Sequence, residues 1–377
     1  MDRTILLSAG GTGGHLFPAQ ALAGELNRRG WRVELVTDHR ATHYGGDFPA
    51  AKIHTVPSGT PSSRNPLAVA SALVKLALGL LQSIRIVRRT KPQAVVGFGG
   101  YPTVPPLMAG WLTGAPLVLH EQNAVMGRAN GMLSRLCDKV ALSFEGTRAP
   151  QRALAKSVLC GNPVREAVHH AATWPFEEIA PNGPIKLLVF GGSQGARFFS
   201  DMMPGVFALL PADLQKRLEI VQQCREEDMA RVGEAYAPLK LNVELAPFFP
   251  DLPHRIARSH LIISRSGAST IGELTVIGRP AILVPLPGAI DQDQRANGAV
   301  LERAGGALMM EQSAITPERF AEAISGLISD PEALKAKAEK ARSAGRPDAV
   351  ERLADLVESI AGGEGGGAVN AASGEPV

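Results

Sequence analysis

Cysteine is scarce in this chain. Its 377 residues include three, Cys137, Cys160 and Cys224, far apart and without a Cys-x-x-Cys pair. That excludes a disulfide framework and a zinc site of local spacing, and fits a reducing cytoplasm. Net charge is also small, +3, which gives no ground to expect a nucleic-acid partner. No apolar run reaches transmembrane length without a charge, either. The nearest, 67–87, is interrupted by Lys75, Gln82, Ser83 and Arg85. Met1-Asp2-Arg3 leads directly into Ile5-Leu6-Leu7, which reads as a first strand rather than a signal peptide. What remains, 45% hydrophobic and 20% charged, is the composition of a soluble globular protein of two domains.

Short apolar segments alternate with helical patterns. Strands are expected at 4–9, 32–37, 53–56, 94–98, 116–120, 139–143 and 158–160, and the rhythm restarts at 185–190, 218–222, 243–246, 261–264 and 281–285. Such alternation predicts α/β architecture: two doubly wound, Rossmann-like parallel-sheet domains facing a cleft, joined near Gly161-Asn162-Pro163. A short helix is expected over 126–136. Helices are expected over 317–329, 331–343 and 348–361, and a disordered tail over 362–377. Ligands of such sheets sit at the carboxyl ends of strands.

Polar and glycine-rich clusters follow several of these strands. Gly10-Gly11-Thr12-Gly13-Gly14-His15 is the first strand-to-helix turn, where backbone can approach a ligand closely. Gly11, Gly13 and Asp38 partly fit a dinucleotide fingerprint, but Leu16 stands at its third glycine position and argues against a dehydrogenase. His15, at a helix start, tends to stay neutral and can serve as a base or merely cap the turn. Gly97-Phe98-Gly99-Gly100-Tyr101-Pro102 and His120-Glu121-Gln122-Asn123 follow later strands, on the same edge.

In the second half, Gly191-Gly192-Ser193-Gln194-Gly195-Ala196 lacks the Lys-Ser/Thr of a triphosphate-binding loop but can cradle a diphosphate. The richest stretch is 264–299. A strand ending at Ser264 leads through Arg265-Ser266-Gly267-Ala268-Ser269-Thr270 into a helix expected over 271–277, with Glu273 about its first turn. Small residues at a helix start suit phosphate, and a carboxylate can accept both hydroxyls of a ribose. Asp291-Gln292-Asp293-Gln294 then offers polar groups for sugar hydroxyls; as a metal-holding Asp-x-Asp it is discounted, and no metal or other cofactor is expected. The alternative is an ordinary strand–helix–strand unit with Glu273 in solvent. Phe248-Phe249-Pro250 fits a base pocket or core. The region 64–91, with leucines and Lys75, Arg85, Arg88, Arg89 and Lys91, fits either a crossover helix or a basic amphipathic helix on anionic lipid.

Together, and in this order, these motifs, with Gly161-Asn162-Pro163-Val164-Arg165 and 291–297, resemble the MurG family of bacterial peptidoglycan N-acetylglucosaminyltransferases over about residues 4–360. The resemblance implies a GT-B-type fold with an N-terminal acceptor and membrane-side domain at 1–163. It also implies a C-terminal donor domain at 164–345 and a last helix, about 346–361, packing back on the first domain. The implied reaction is inverting transfer of N-acetylglucosamine from UDP-N-acetylglucosamine to the C4 hydroxyl of undecaprenyl-diphospho-N-acetylmuramoyl-pentapeptide (lipid I), giving lipid II. It implies a peripheral enzyme on the cytoplasmic face of the inner membrane, serving cell-wall synthesis, cell shape and division.

Carried over by motif, the donor would meet Thr12, Gly13, Gly14, Asn123, Arg165, Ser193, Phe249, Ala268, Ser269, Thr270, Glu273 and Gln294, with Asp293 a further candidate. The acceptor diphosphate would meet Gly13 and the loop of Gly99, Gly100 and Tyr101. His15 is the candidate general base; Glu121 is a second candidate, or orients the acceptor. Arg265 either stabilises the leaving diphosphate or braces its turn. Ser264 stands where many members have Cys, and Gly288 where a histidine is often found. Another GT-B-type UDP-sugar transferase, with a different lipid or small acceptor, and a non-catalytic nucleotide-sugar-binding or membrane scaffold are the competing readings.

Overall fold

The computed structural model describes residues 3–39, 48–59, 66–192, 197–288 and 291–362. The expected tail, apart from Gly362, and Ser193 lie outside them. The first sheet contains β1 (Thr4–Ser8), β2 (Arg32–Thr37), β3 (Lys52–Thr55), β4 (Ala94–Gly97), β5 (Leu117–Glu121), β6 (Lys139–Leu142) and β7 (Ser157–Leu159) in the order β3-β2-β1-β4-β5-β6-β7. The second contains β8 (Ile185–Phe190), β9 (Leu218–Gln223), β10 (Asn242–Ala246), β11 (Leu261–Ser264), β12 (Ala281–Leu283) and β13 (Ala307–Met309), ordered β10-β9-β8-β11-β12-β13. Every pairing in both sheets is parallel.

Side-chain alternation explains why these strands are apolar almost throughout. Ile5 and Leu7 enter one core layer, under helix Gly13–Arg28. Leu6 between them enters the opposite layer, with Val95 and Leu107. In the second sheet Leu187 and Val189 face Phe199 and Phe207, while Leu188 and Phe190 face Ile271 and Leu274. Both faces are covered, so both residue parities must be hydrophobic.

Some boundaries differ from expectation. β5 runs one residue further, through Glu121, because that residue keeps the ladder with Leu142. β13 was not anticipated: it is three residues long, follows Gly305-Gly306, and shows no alternation of its own. The helix expected over 126–136 is confined to Arg128–Leu133. The helix expected from 271 begins at Ala268, after extended Gly267. Small hydroxyl residues read as a turn, yet here they form the helix's first turn, and Glu273 falls in the second.

Helix Pro66–Thr90 packs Val87, Leu80 and Ile84 into the first domain's core while Leu67, Leu73, Val74, Leu78 and Leu81 are exposed. Among the described residues its segment Val69–Thr90 is long and apolar enough to cross a membrane by length and composition, with mean hydropathy 1.5. Trp111 and Leu112, on the adjoining helix Val104–Thr113, are also more than half exposed and enlarge the apolar surface.

After the second sheet the chain returns to the first. Helix Ala349–Ala361 buries Leu353, Ala354 and Val357 beside Leu22 and Leu26. Arg29 binds Asp355 and Glu358 at 2.6 Å each, and the Trp31 indole donates to Glu358 at 2.6 Å. The two crossings touch: a Cβ at Gly161 would lie 2.9 Å from that of Ala349. Leu353→Ala is expected to cost about 2–5 kcal/mol in urea denaturation, because a buried cavity opens. Asp355→Ala, removing an exposed charge, should cost about 1 kcal/mol or less.

Candidate active site

Both sheets reverse their strand order at one point, between β1 and β4 and between β8 and β11. The crevices at the carboxyl ends of these pairs are where a doubly wound sheet holds its ligand. They face each other across one cleft of about 650 Å³. Gly13, Gly14 and Phe17 line it from one side; Gly191, Gly192, Ala268, Ser269, Thr270, Glu273 and Gln294 line it from the other, together with Arg165, which caps a helix packed on the second domain.

The cleft is cationic. Arg165, Arg197, Arg225 and Arg265 reach its wall, against the single carboxylate of Glu273. Several polar atoms there are buried without a partner among the described residues: Ser269 Oγ and the Nε atoms of Arg165, Arg225 and Arg265. Buried donors left unpaired carry a desolvation cost that an anionic ligand would remove. The helix beginning at Ala268 adds free N–H groups and the positive end of its dipole.

Glu273 is 7% exposed, and burial raises its carboxyl pKa, partly opposed by Arg165. Arg165 Nη2 lies 3.4 Å from Glu273 Oε1, and its guanidinium stacks 4.1 Å from the Phe17 ring centroid, so one residue joins both sides of the cleft. Arg265 donates to the carbonyls of Val284 and Pro285 and to Gln312 Oε1, which braces the turn as well as lining the cleft. Gln294 accepts the Leu286 N–H at 3.0 Å through Oε1, leaving its amide NH2 as the donor for a ligand. Phe249 is buried and lies under the Arg255 guanidinium; the exposed aromatic is Phe248. Only the backbone side of Phe249 therefore suits a base pocket.

On the first domain, His15 sits in the opening turn of its helix, after Thr12 in the N-cap position. A Cβ at Gly99 would lie 3.3 Å from His15 Cε1, and one at Gly100 would lie 3.4 Å from Nε2. Both glycines have positive φ, 93° and 76°, so the backbone conformation itself favours glycine. Tyr101 opens the single 3-10 turn that follows them. His15 Nδ1 is 3.1 Å from Gln122 Oε1, and Gln122 Nε2 is 2.9 Å from His120 Nδ1.

Glu121, a candidate base on sequence, is placed otherwise. It is 1% exposed, and burial raises its pKa. Oε1 accepts from the Asn123 N–H and side-chain amide, and Oε2 from Gly127 N–H and Asn130 Nδ2. Its acceptor positions are spent on shaping the loop 122–130, and it is not among the residues that line the cleft.

That loop clasps the second domain. Asn297, fully buried, accepts the Ala124 N–H at 2.8 Å and donates to Asn123 Oδ1 at 3.0 Å. Arg128 and Asp291 approach to 3.5 Å beside it. Asn297, Arg225, Phe17 and Gln312 were not anticipated as site residues. The contacts of Asn297, Phe17 and Gln312 join distant segments, which no local spacing signals. Among the described residues no group of three or more His, Cys, Asp or Glu side chains is arranged to hold a metal ion.

Glu121→Gln would turn an amide donor toward two or more donors. It is expected to cost about 1–3 kcal/mol in thermal or urea unfolding, and to loosen the Asn123–Asn297 clasp. Unchanged stability would refute the loop-organising role.

The glycosyltransferase family 28 N-terminal domain matches residues 5–142 and its C-terminal domain residues 186–353. A UDP-N-acetylglucosamine--N-acetylmuramyl-(pentapeptide) pyrophosphoryl-undecaprenol N-acetylglucosamine transferase of Mesorhizobium japonicum is 55% identical over 360 residues, 95% of each chain. One of the same name from Methylobacterium nodulans is 54% identical over 362 residues, 95% of this chain and 96% of the relative. The crystal structure of Acinetobacter baumannii MurG superposes with a TM-score of 0.76 at 29% identity, covering 95% of this chain and 100% of that one. The chain is thus an enzyme of glycosyltransferase family 28, with two facing α/β domains, and belongs to the family of these N-acetylglucosamine transferases.

Proposed function

We propose that this protein moves N-acetylglucosamine from UDP-N-acetylglucosamine to the C4 hydroxyl of N-acetylmuramoyl-pentapeptide on undecaprenyl diphosphate. The observation that carries the reading is the cationic cleft shared by both switch points, with unpaired buried donors on its donor side and His15 on the other domain. A nucleoside diphosphate-sugar supplies the anion, the diol and the hydroxyls that such a wall can hold.

In this reading the diphosphate lies at the helix start Ala268-Ser269-Thr270, with Gly13 and Gly14 opposite and guanidinium groups around it. Ser193, outside the described residues, would join them. Glu273 accepts the ribose diol. The uracil rests against the backbone of Phe249, and the Gln294 amide donates to a sugar hydroxyl. Asp293, in the first turn of the same helix as Gln294, is the further candidate for a sugar hydroxyl. Thr12 and Asn123 complete the donor site from across the cleft, and Arg165, on the donor side beside Glu273, reaches over it to Phe17. The loop of Gly99, Gly100 and Tyr101 receives the acceptor diphosphate.

The reaction is one displacement. The acceptor C4 oxygen bonds to the anomeric carbon as the bond to the UDP oxygen breaks, and His15 takes the hydroxyl proton. Helix N–H groups and arginines meet the negative charge growing on UDP. No covalent intermediate and no metal step is needed for this balance.

The exposed leucines of helix Pro66–Thr90, with Trp111 and Leu112, form the surface that would rest on the membrane carrying the lipid acceptor. Arg85, Arg88 and Arg89 on that helix would add attraction to anionic headgroups. The enzyme would thereby work peripherally at the cytoplasmic face, supplying cell-wall precursor for cell shape and division.

His15→Ala is expected to lower transfer turnover by about 10²–10⁴-fold while UDP affinity, measured by calorimetry, is retained. Equal losses in both would refute the base assignment. Glu273→Gln should instead raise donor KM, by the roughly 1.5–3 kcal/mol of a lost charged hydrogen bond. For the membrane, co-sedimentation with anionic vesicles should fall when Leu73, Leu78 and Leu81 become serine, and fall further on neutralising Arg85, Arg88 and Arg89. Binding that ignores both sets of changes would contradict the surface proposed.

A further inference from the structure

His15, Gln122, His120 and the carbonyl of Gly161 form one line of hydrogen bonds. His120 Nε2 lies 3.0 Å from Gly161 O, Gln122 Nε2 lies 2.9 Å from His120 Nδ1, and Gln122 Oε1 lies 3.1 Å from His15 Nδ1. Its direction is set from the far end. A backbone carbonyl only accepts, so His120 Nε2 carries a proton. His120 is fully buried, and desolvation pushes its pKa down to about 4, so its ring is neutral and Nδ1 holds a lone pair.

That lone pair needs a donor, and the donor is the Gln122 amide NH2. The same NH2 reaches the His120 carbonyl oxygen at 3.2 Å, a second group that only accepts. Turning the amide over would set its oxygen against both. Gln122 Oε1 therefore faces His15, and a carbonyl oxygen requires His15 Nδ1 to be the donor.

We infer that Gln122 and His120 are positioning residues for His15: a relay anchored on the Gly161 carbonyl holds its imidazole in the Nδ1–H tautomer and keeps the lone pair on Nε2. An unconstrained histidine side chain favours the opposite, Nε2–H, form. The relay thus reverses the intrinsic preference and leaves the acceptor nitrogen beside Gly100, where a Cβ would come within 3.4 Å of it. Strand alternation makes the arrangement possible, because His120 and Gln122, two apart, project from the same side at the end of β5. The catalytic consequence rests on the proposed role of His15 as base; the tautomer itself does not.

Side-chain ¹⁵N–¹H correlation spectra of the full chain, labelled at histidine and assigned through His15→Ala, read the tautomer directly. The expected result is a protonated Nδ1 and an unprotonated Nε2 for neutral His15 in the wild type, with Nε2–H gaining population in Gln122→Leu. Wild-type His15 in the Nε2–H form would overturn the inference without any variant having to fold. A wild-type-like His15 signature in a folded Gln122→Leu would overturn it as well.

In transfer assays Gln122→Leu should lose kcat by between about 10-fold and the 10⁴-fold seen when a catalytic histidine is forced into its wrong tautomer, with donor KM little changed. A shifted tautomer with unchanged kcat would overturn the catalytic part. Failure of the base reading has a separate signature, full turnover in His15→Ala, which leaves the tautomer measurement standing.

Discussion

The site depends on how β5 ends. Four polar residues follow one another at the carboxyl edge of a buried strand, and alternation divides their work. His120 and Gln122 turn toward His15, while Glu121 turns away and accepts four hydrogen bonds from the next loop. That loop carries Asn123 and Ala124 to Asn297 of the second domain. A strand end that fixes the proposed base on one side and the interdomain clasp on the other ties the two together through a short stretch of covalent chain. Burial is what makes it rigid: an unpaired group at this depth costs more than a formed hydrogen bond gains, so the network tolerates few alternatives.

The rest of the cleft works by charge. Four arginines with one nearly buried carboxylate would be an expensive lining for an empty apolar pocket, but they suit a diphosphate bearing a ribose. Arg165 links the opposing sides, stacking on Phe17 while reaching Glu273. The chain crosses twice between the domains, and Gly161 meets Ala349 where the crossings touch. The same Gly161 supplies the carbonyl that anchors His120. The joint is therefore wired to the first domain's active edge.

Much of this was legible in the sequence because the physics is local. Buried parallel strands need unbroken aliphatic runs, and the turns after them need glycine where backbone must approach a ligand, as Gly99 and Gly100 do with positive φ. Less legible were features decided by distant partners. Asn297 reads as an ordinary helix residue until its side chain is seen against Asn123, 174 positions away. Glu121 looks like a base by chemistry, and only its four donors show that it is occupied elsewhere. β13 owes its strand geometry to pairing with β12 rather than to its own three residues. The helix at Ala268 begins earlier than its hydroxyl-rich residues suggest, because extended Gly267 supplies the N-cap.

A single displacement across this cleft has a stereochemical consequence, and the anomeric configuration of the product tests it most directly. Transfer from UDP-N-acetylglucosamine, an α-linked donor, to a short-chain lipid I analogue should give a β-linked disaccharide, read from the anomeric proton coupling in the NMR spectrum. An α-linked product, or donor hydrolysis without transfer to the acceptor, would contradict the account.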